Sequence, residues 1–136
     1  MAAETKRILL VDDFASWQGF IKTLLSVTPE WQLCAEAING VEALSKAEEL
    51  HPDLVLLDLD LPDASGIEVA RRLQTVQPTP KIVFLTSESS PHVVKAALGA
   101  GALGYILKSQ VVDELLPALK EIFSGNRFIS FGVKLD

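Results

Sequence analysis

Cysteine is almost missing from this 136-residue chain: Cys34 is the only one. A single thiol cannot form an internal disulfide, and no Cys/His cluster with metal-ligand spacing exists. Its neighbours, Leu33 and Ala35, are apolar, so the thiol reads as a small packing group. Histidine is nearly as sparse; His51 and His92 each stand alone beside a proline. Long apolar runs are absent, and none approaches the roughly 20 residues that a membrane helix needs. The short charged start, Met1 to Arg7, passes straight into an apolar run with no signal-peptide pattern, which predicts a cytoplasmic protein. Positive charge is in deficit. Twelve Lys and Arg against 18 Asp and Glu give a net charge of −6, with no basic stripe. Neutralising nucleic-acid phosphates takes clustered Lys and Arg, so direct nucleic-acid binding is not expected. Internal repeats and low-complexity segments are also lacking.

What is there reads as one globular domain, 49% hydrophobic and 22% charged. Short apolar runs alternate with helical periods. The runs are RILLV at 7–11, LVLL at 54–57, KIVFL at 81–85 and GYIL at 104–107, with a weaker one, Trp31 to Ala37, fit for an edge strand. Continuous runs of this length suit strands buried on both faces of a parallel sheet. Between them, Trp17, Phe20, Ile21, Leu24 and Leu25 follow the i, i+3, i+4, i+7, i+8 spacing of one helix face. Val41, Leu44 and Ala47 or Glu48 mark a second helix after Asn39-Gly40, and Ile67, Ala70, Arg71 and Leu73 a third after Ser65-Gly66. Pro91 opens a fourth, with Val93, Val94, Ala97 and Leu98 as its apolar positions. A fifth runs from about Val112 to Phe123 and stops at Ser124-Gly125. Pro117 inside it argues for a late start with Asp113 as N-cap. Five βα units predict an α/β fold: a doubly wound parallel sheet of five strands with helices on both faces. The domain is expected over 6–124, with 125–136 as a C-terminal tail or linker.

Polar groups follow four of the strands directly: Asp12 and Asp13, then Asp58, Thr86 and Lys108. In open α/β sheets ligands bind at the carboxyl ends of the strands, near the point where strand order reverses. Residues far apart in sequence then converge. Clustered carboxylates repel one another, and a divalent cation relieves that cost. An oxygen-only donor set suits Mg²⁺ (or Mn²⁺). A carboxylate such as Asp58 can act as a covalent nucleophile, while Lys108 offsets charge on a phosphoryl group and Thr86 offers a hydroxyl donor.

The order Asp12-Asp13, Asp58, Thr86, Lys108 resembles the receiver domain of bacterial two-component response regulators. The strings ILLVDD at 8–13, PDLVLLDLDLP at 52–62, SGIEVARRL at 65–73, KIVFLT at 81–86 and GALGYILK at 101–108 agree with it, in order and over about residues 6 to 130. Within that family the strings look closest to receivers that precede a LuxR-type helix-turn-helix. The resemblance implies a flavodoxin-like sheet of order 2-1-3-4-5 and phosphotransfer from a sensor histidine kinase to Asp58. It implies a metal site of Asp13, Asp58 and the Asp60 backbone carbonyl, with Asp12 helping. It also implies a switch in which Thr86 moves toward the phosphate and Tyr105 turns inward. Dimerisation would use the face of the fourth helix, fifth strand and fifth helix, or the first and fifth helices.

Some positions depart from the family pattern. Ser87 follows Thr86 where Ala or Gly is usual. Phe14 follows the acid pair where polar residues are common, giving an apolar pocket rim. Ser109 stands where many members carry a cis proline, so a trans bond is expected after Lys108. Asp60 and Glu88 occupy positions that flank the attacking water in the family. Asp12 and Asp13 could instead cap a helix, and Asp58 could be a plain loop acid. Thr86 and Lys108 could be ordinary strand-end groups, and Tyr105, Trp17 and Trp31 simple packing. Two other functions compete: a haloacid-dehalogenase-type phosphatase built on Asp58-Leu59-Asp60, and an interaction module that needs no phosphate. The first is disfavoured by Leu61-Pro62 after the acid pair and by the lack of a cap insertion. The expectation is a switch, not a turnover enzyme.

Overall fold

The computed structural model describes residues 4–133, so the last three residues of the predicted tail lie outside the described residues. Strands and helices alternate as β1 (Lys6–Val11), α1 (Ala15–Leu25), β2 (Trp31–Ala37), α2 (Gly40–Leu50), β3 (Leu54–Leu57), α3 (Gly66–Leu73), β4 (Lys81–Thr86), α4 (Pro91–Gly99), β5 (Gly104–Leu107), α5 (Val111–Phe123) and β6 (Phe128–Ile129). All pairings within the sheet are parallel, in the order β2-β1-β3-β4-β5-β6. Side chains alternate between its faces. Ile8 and Leu10 meet Ile21, Leu25, Leu115 and Leu119 of α1 and α5. Leu9 and Val11 meet Ala43, Val69 and Val94 of α2, α3 and α4. Both faces are covered, which is why the strands carry unbroken apolar runs.

The sheet has one strand more than the sequence pattern predicts. Without a partner, the outer edge of β5 would present bare backbone groups. Phe128 N–H donates to the Leu103 carbonyl at 3.0 Å and Ser130 N–H to the Tyr105 carbonyl at 2.9 Å. Two residues are too few to show a period, so β6 leaves no pattern in the sequence. A side-chain clamp fixes it: the Glu114 carboxylate accepts from the Ser130 hydroxyl and, at 3.0 Å, from Phe131 N–H. The Ser130 hydroxyl in turn accepts from Leu107 N–H at 2.8 Å. Glu114→Ala is expected to lower stability by about 1–3 kcal/mol. Hydrogen exchange should locate the loosening at Ser130 and Phe131; unchanged protection there would show that the clamp holds nothing.

Two local expectations are corrected. Helix α5 starts at Val111, not late: a 3₁₀ turn over Lys108–Gln110 feeds into it, Gln110 is the N-cap, and Asp113 lies within its first turn. Pro117 is therefore interior, but it and Asp113, whose carbonyl it leaves without a helical donor, are both solvent-exposed. In α2, Val41 is 71% exposed, and Gly40, Ala43 and Ala47 make the buried face. Small residues let this helix sit close; a Cβ on Gly40 would lie 3.0 Å from Val69 Cγ2. The Asn39 side chain caps it by accepting from Glu42 N–H at 2.8 Å.

Candidate functional site

Strand order reverses at β1. The chain runs outward to β2, then returns to place β3 on the other side, which opens a crevice at the carboxyl ends of β1 and β3. Register decides what meets there. Val11 pairs with Leu57, so Asp12 and Asp58 emerge side by side. Thr86 pairs with Leu107, which sets Lys108 just beyond. The backbone anchors both acids, with Asp12 N–H donating to the Ala37 carbonyl and Asp58 N–H to that of Val11, each at 3.0 Å.

Asp12, Asp13 and Asp58 each offer a carboxylate oxygen, and these lie within 4.8 Å of one another. Asp12 and Asp58 are buried, while Asp13 is exposed. The Lys108 ammonium donates to Asp12 Oδ2 at 2.9 Å and to Asp58 Oδ2 at 3.3 Å. Burial pushes the Asp58 carboxyl above its ordinary range; Lys108 and the Asp60 N–H pull it down and Asp12 adds to the rise. Burial works against the Lys108 charge, yet its hydrogen bond to Asp12 and the Asp58 charge hold it above the usual lysine value. One ammonium faces three carboxylates, so the pocket keeps an excess of negative charge. All its acidic donors are oxygens, and that combination fits a hard divalent cation such as Mg²⁺. The Asp60 carboxylate stands outside the cluster; its backbone N–H donates to Asp58 Oδ1 at 3.4 Å.

Thr86 is buried, and its hydroxyl accepts from Glu88 N–H at 3.3 Å. Tyr105 is already inward: its ring is fully buried, and its hydroxyl donates to the Glu88 carbonyl at 2.6 Å. Burial, with the charges of Glu88 and Asp60, raises this phenol well above its ordinary range. The Glu88 carboxylate turns toward the start of α4, accepting from Ser90 N–H at 3.0 Å and Ser90 Oγ at 2.8 Å, bonds that hold it below the usual range. Asp60 and Glu88 line an open cavity of about 460 Å³ beside the acids. Phe14, next after the acid pair, is 66% exposed. The Lys108–Ser109 bond is trans.

One residue of the site escaped the sequence reading. Gln18 is buried, and its amide donates to the Asp12 carbonyl at 2.7 Å and the Ala37 carbonyl at 3.2 Å, which ties β1 to β2 where the acid pair begins. Its signal was available: Gln18 shares the i, i+3, i+7 stripe of Ile21 and Leu25, where a polar residue needs a buried partner.

The fold and the acid crevice together define a flavodoxin-like signalling domain. Residues 8–120 match the family described as the response regulator receiver domain, and the chain belongs to that family. It is 35% identical over 127 residues to the nitrate/nitrite response regulator protein NarL of Escherichia coli (strain K12), a match covering 93% of this chain and 59% of the relative. It is 37% identical over 125 residues to the response regulator GacA of Pseudomonas viridiflava, covering 91% and 58%. A two-component response regulator of the LuxR family from Aurantimonas sp. SI85-9A1 superposes with a TM-score of 0.90 at 33% identity, covering 96% of this chain and 93% of that one. The chain is a receiver domain of two-component response regulators, of the LuxR type. Membership does not favour the phosphatase or the phosphate-independent module. The chain spans a little over half the length of these curated relatives. Receiver domains are generally non-enzymatic, and one relative that matches over 36% of its own length is a protein-glutamate methylesterase/protein-glutamine glutaminase of Methanosarcina acetivorans. Among the described residues, no helix is long and apolar enough to cross a membrane.

Proposed function

We propose that Asp58 accepts a phosphoryl group from the phosphohistidine of a sensor histidine kinase, as part of a cytoplasmic regulator of transcription. The observation that carries this reading is the convergence of Asp12, Asp13, Asp58 and Lys108 from three strand ends into one pocket. An Asp58 carboxylate oxygen attacks phosphorus, and the bond from phosphorus to the imidazole nitrogen breaks. The electron pair stays on that nitrogen, which takes up a proton. Lys108 and the Thr86 hydroxyl meet phosphoryl oxygens as charge redistributes. Asp13, Asp58 and the Asp60 backbone carbonyl, with Asp12, would hold Mg²⁺ (or Mn²⁺), which when bound offsets phosphoryl charge. The domain takes part in its own phosphorylation and dephosphorylation; it does not turn over free phosphomonoesters.

The same reading makes Thr86 and Tyr105 the switch. Thr86 shares the β4–α4 turn with Glu88, whose carbonyl already receives the Tyr105 hydroxyl, so movement of that turn reaches β5. The consequence is a changed α4–β5–α5 face, used for dimerisation, with α1 and α5 as the other candidate surface. The receiver body begins near residue 6 and runs past the expected boundary at 124, through β6 and the Glu114 clamp at Ser130 and Phe131. Incubation with Mg²⁺ and phosphoramidate should add one phosphoryl mass to the intact protein. The same gain in Asp58→Ala would refute the assignment. Mg²⁺ at ten times its Kd should stabilise the fold by about 1.4 kcal/mol. A melting scan checks this, and Asp13→Ala should lose most of the gain.

A further inference from the structure

Lys108 has three partners, and one of them is not a carboxylate. Its ammonium lies 5.0 Å from the centroid of the Trp17 ring, in addition to its contacts with Asp12 and Asp58. The ring packs on the apolar cluster beneath α1 and α5 and meets Phe20 at 5.4 Å, tilted. Its indole N–H is enclosed and has no acceptor among the described residues. An enclosed donor without a partner is costly, and a leucine or phenylalanine would fill this space without one. An indole that tolerates this cost offers one thing they do not: the strongest ring face for a cation.

We propose that Trp17 is a positioning residue for phosphoryl transfer, its ring face holding the Lys108 ammonium in place between Asp12 and Asp58. The proposal rests on Asp58 being the phosphoacceptor. A lysine carries its charge on a flexible four-carbon stem, and two carboxylates on one side leave it free to swing. The ring adds a third contact, 5.0 Å from the ammonium to its centroid. The ammonium then stands ready for phosphoryl oxygens before they arrive, with little reorganisation during the reaction.

The test uses labelling by phosphoramidate with Mg²⁺, followed as intact mass, in the whole chain. Trp17→Leu should lower the saturating rate by about five- to thirtyfold, with a smaller change in KM. Trp17→Phe, which keeps a weaker ring face, should recover part of the rate. In a Lys108→Met background, Trp17→Leu should add no further loss. Equal rates for wild type and Trp17→Leu, or the same fractional loss without Lys108, would overturn the proposal. A second readout needs no phosphodonor. Trp31 lies apart, stacked on Phe123 at 5.7 Å, so Trp31→Phe leaves Trp17 as the sole tryptophan, excited selectively at the red edge of its absorption. Lys108→Met should then change its emission, and an unchanged spectrum also overturns the contact. If the wild type takes no label, or takes it away from Asp58, the phosphoacceptor reading fails instead, and the emission experiment still judges the contact.

Discussion

Asp58→Asn should abolish phosphoryl labelling and, in the same protein, raise the melting temperature at neutral pH. The first effect follows from chemistry, since an amide is not a nucleophile toward phosphorus. The second depends on which electrostatic effect wins. Asp58 loses solvation on burial and stands beside Asp12, and both penalise its charge; Lys108 at 3.3 Å favours it. The net effect is a carboxyl whose folded pKa lies above its unfolded one. A raised acid pKa means that the folded state binds the proton more tightly. Stability therefore falls as pH rises from the unfolded pKa through the folded one, and the penalty persists at higher pH. Asparagine carries no charge and escapes it, and Lys108 keeps its Asp12 partner at 2.9 Å. Each ~1 kcal/mol moves the melting temperature of a domain this size by about 3–5 °C. Scans of both proteins from neutral pH down through the carboxylate range should show the gain shrinking toward zero. A variant less stable at neutral pH would mean that the Lys108 pair outweighs burial and repulsion.

Much of this site is legible in the sequence, and the reason is register. Strands that end in Asp12, Asp58, Thr86 and Lys108 are parallel neighbours in the sheet, apart from a reversal at β1, so residues just past each strand converge whatever the loops do. Buried parallel strands also announce themselves as apolar runs, which is why β1, β3, β4 and β5 were readable to within a residue or two. Features made by single contacts were less visible. β6 exists because two residues find a bare edge and Glu114 secures them, and neither fact has a period. Val41 fitted the α2 stripe by spacing, but the small side chains of Gly40, Ala43 and Ala47 decided which face lies down. Pro117 suggested a late start for α5, yet the 3₁₀ turn after Lys108 set its beginning. Spacing gave Trp17 to the core; only the structure shows which cation its other face meets.

Gly66→Ala should be the most damaging small change near the site, and Gly19→Ala the matching control. Gly66 opens α3 close behind the end of β3, and its N–H donates to the Leu59 carbonyl at 2.8 Å. A methyl there would lie 2.3 Å from the Asp58 carbonyl oxygen and 2.8 Å from Leu59 Cα. Both obstacles are backbone, so no rotamer change relieves them. Either α3 moves outward or the Asp58–Leu59 segment shifts. The cost should be on the order of 3 kcal/mol, from overpacking alone, since the position needs no left-handed backbone. That corresponds to a fall of roughly 10 °C in melting temperature. Displacement of the Asp58 backbone by even part of an ångström should also slow labelling, by up to about a hundredfold. Gly19 lies within α1 with nothing inside 4 Å of its would-be Cβ. There alanine should stabilise by about 0.5–1 kcal/mol through the chain entropy it removes from the unfolded state. Thermal scans and phosphoramidate labelling of the pair separate sterics at the site from glycine content in general. If Gly66→Ala melted within about 1 kcal/mol of wild type and labelled normally, close approach of α3 would not be what fixes Asp58.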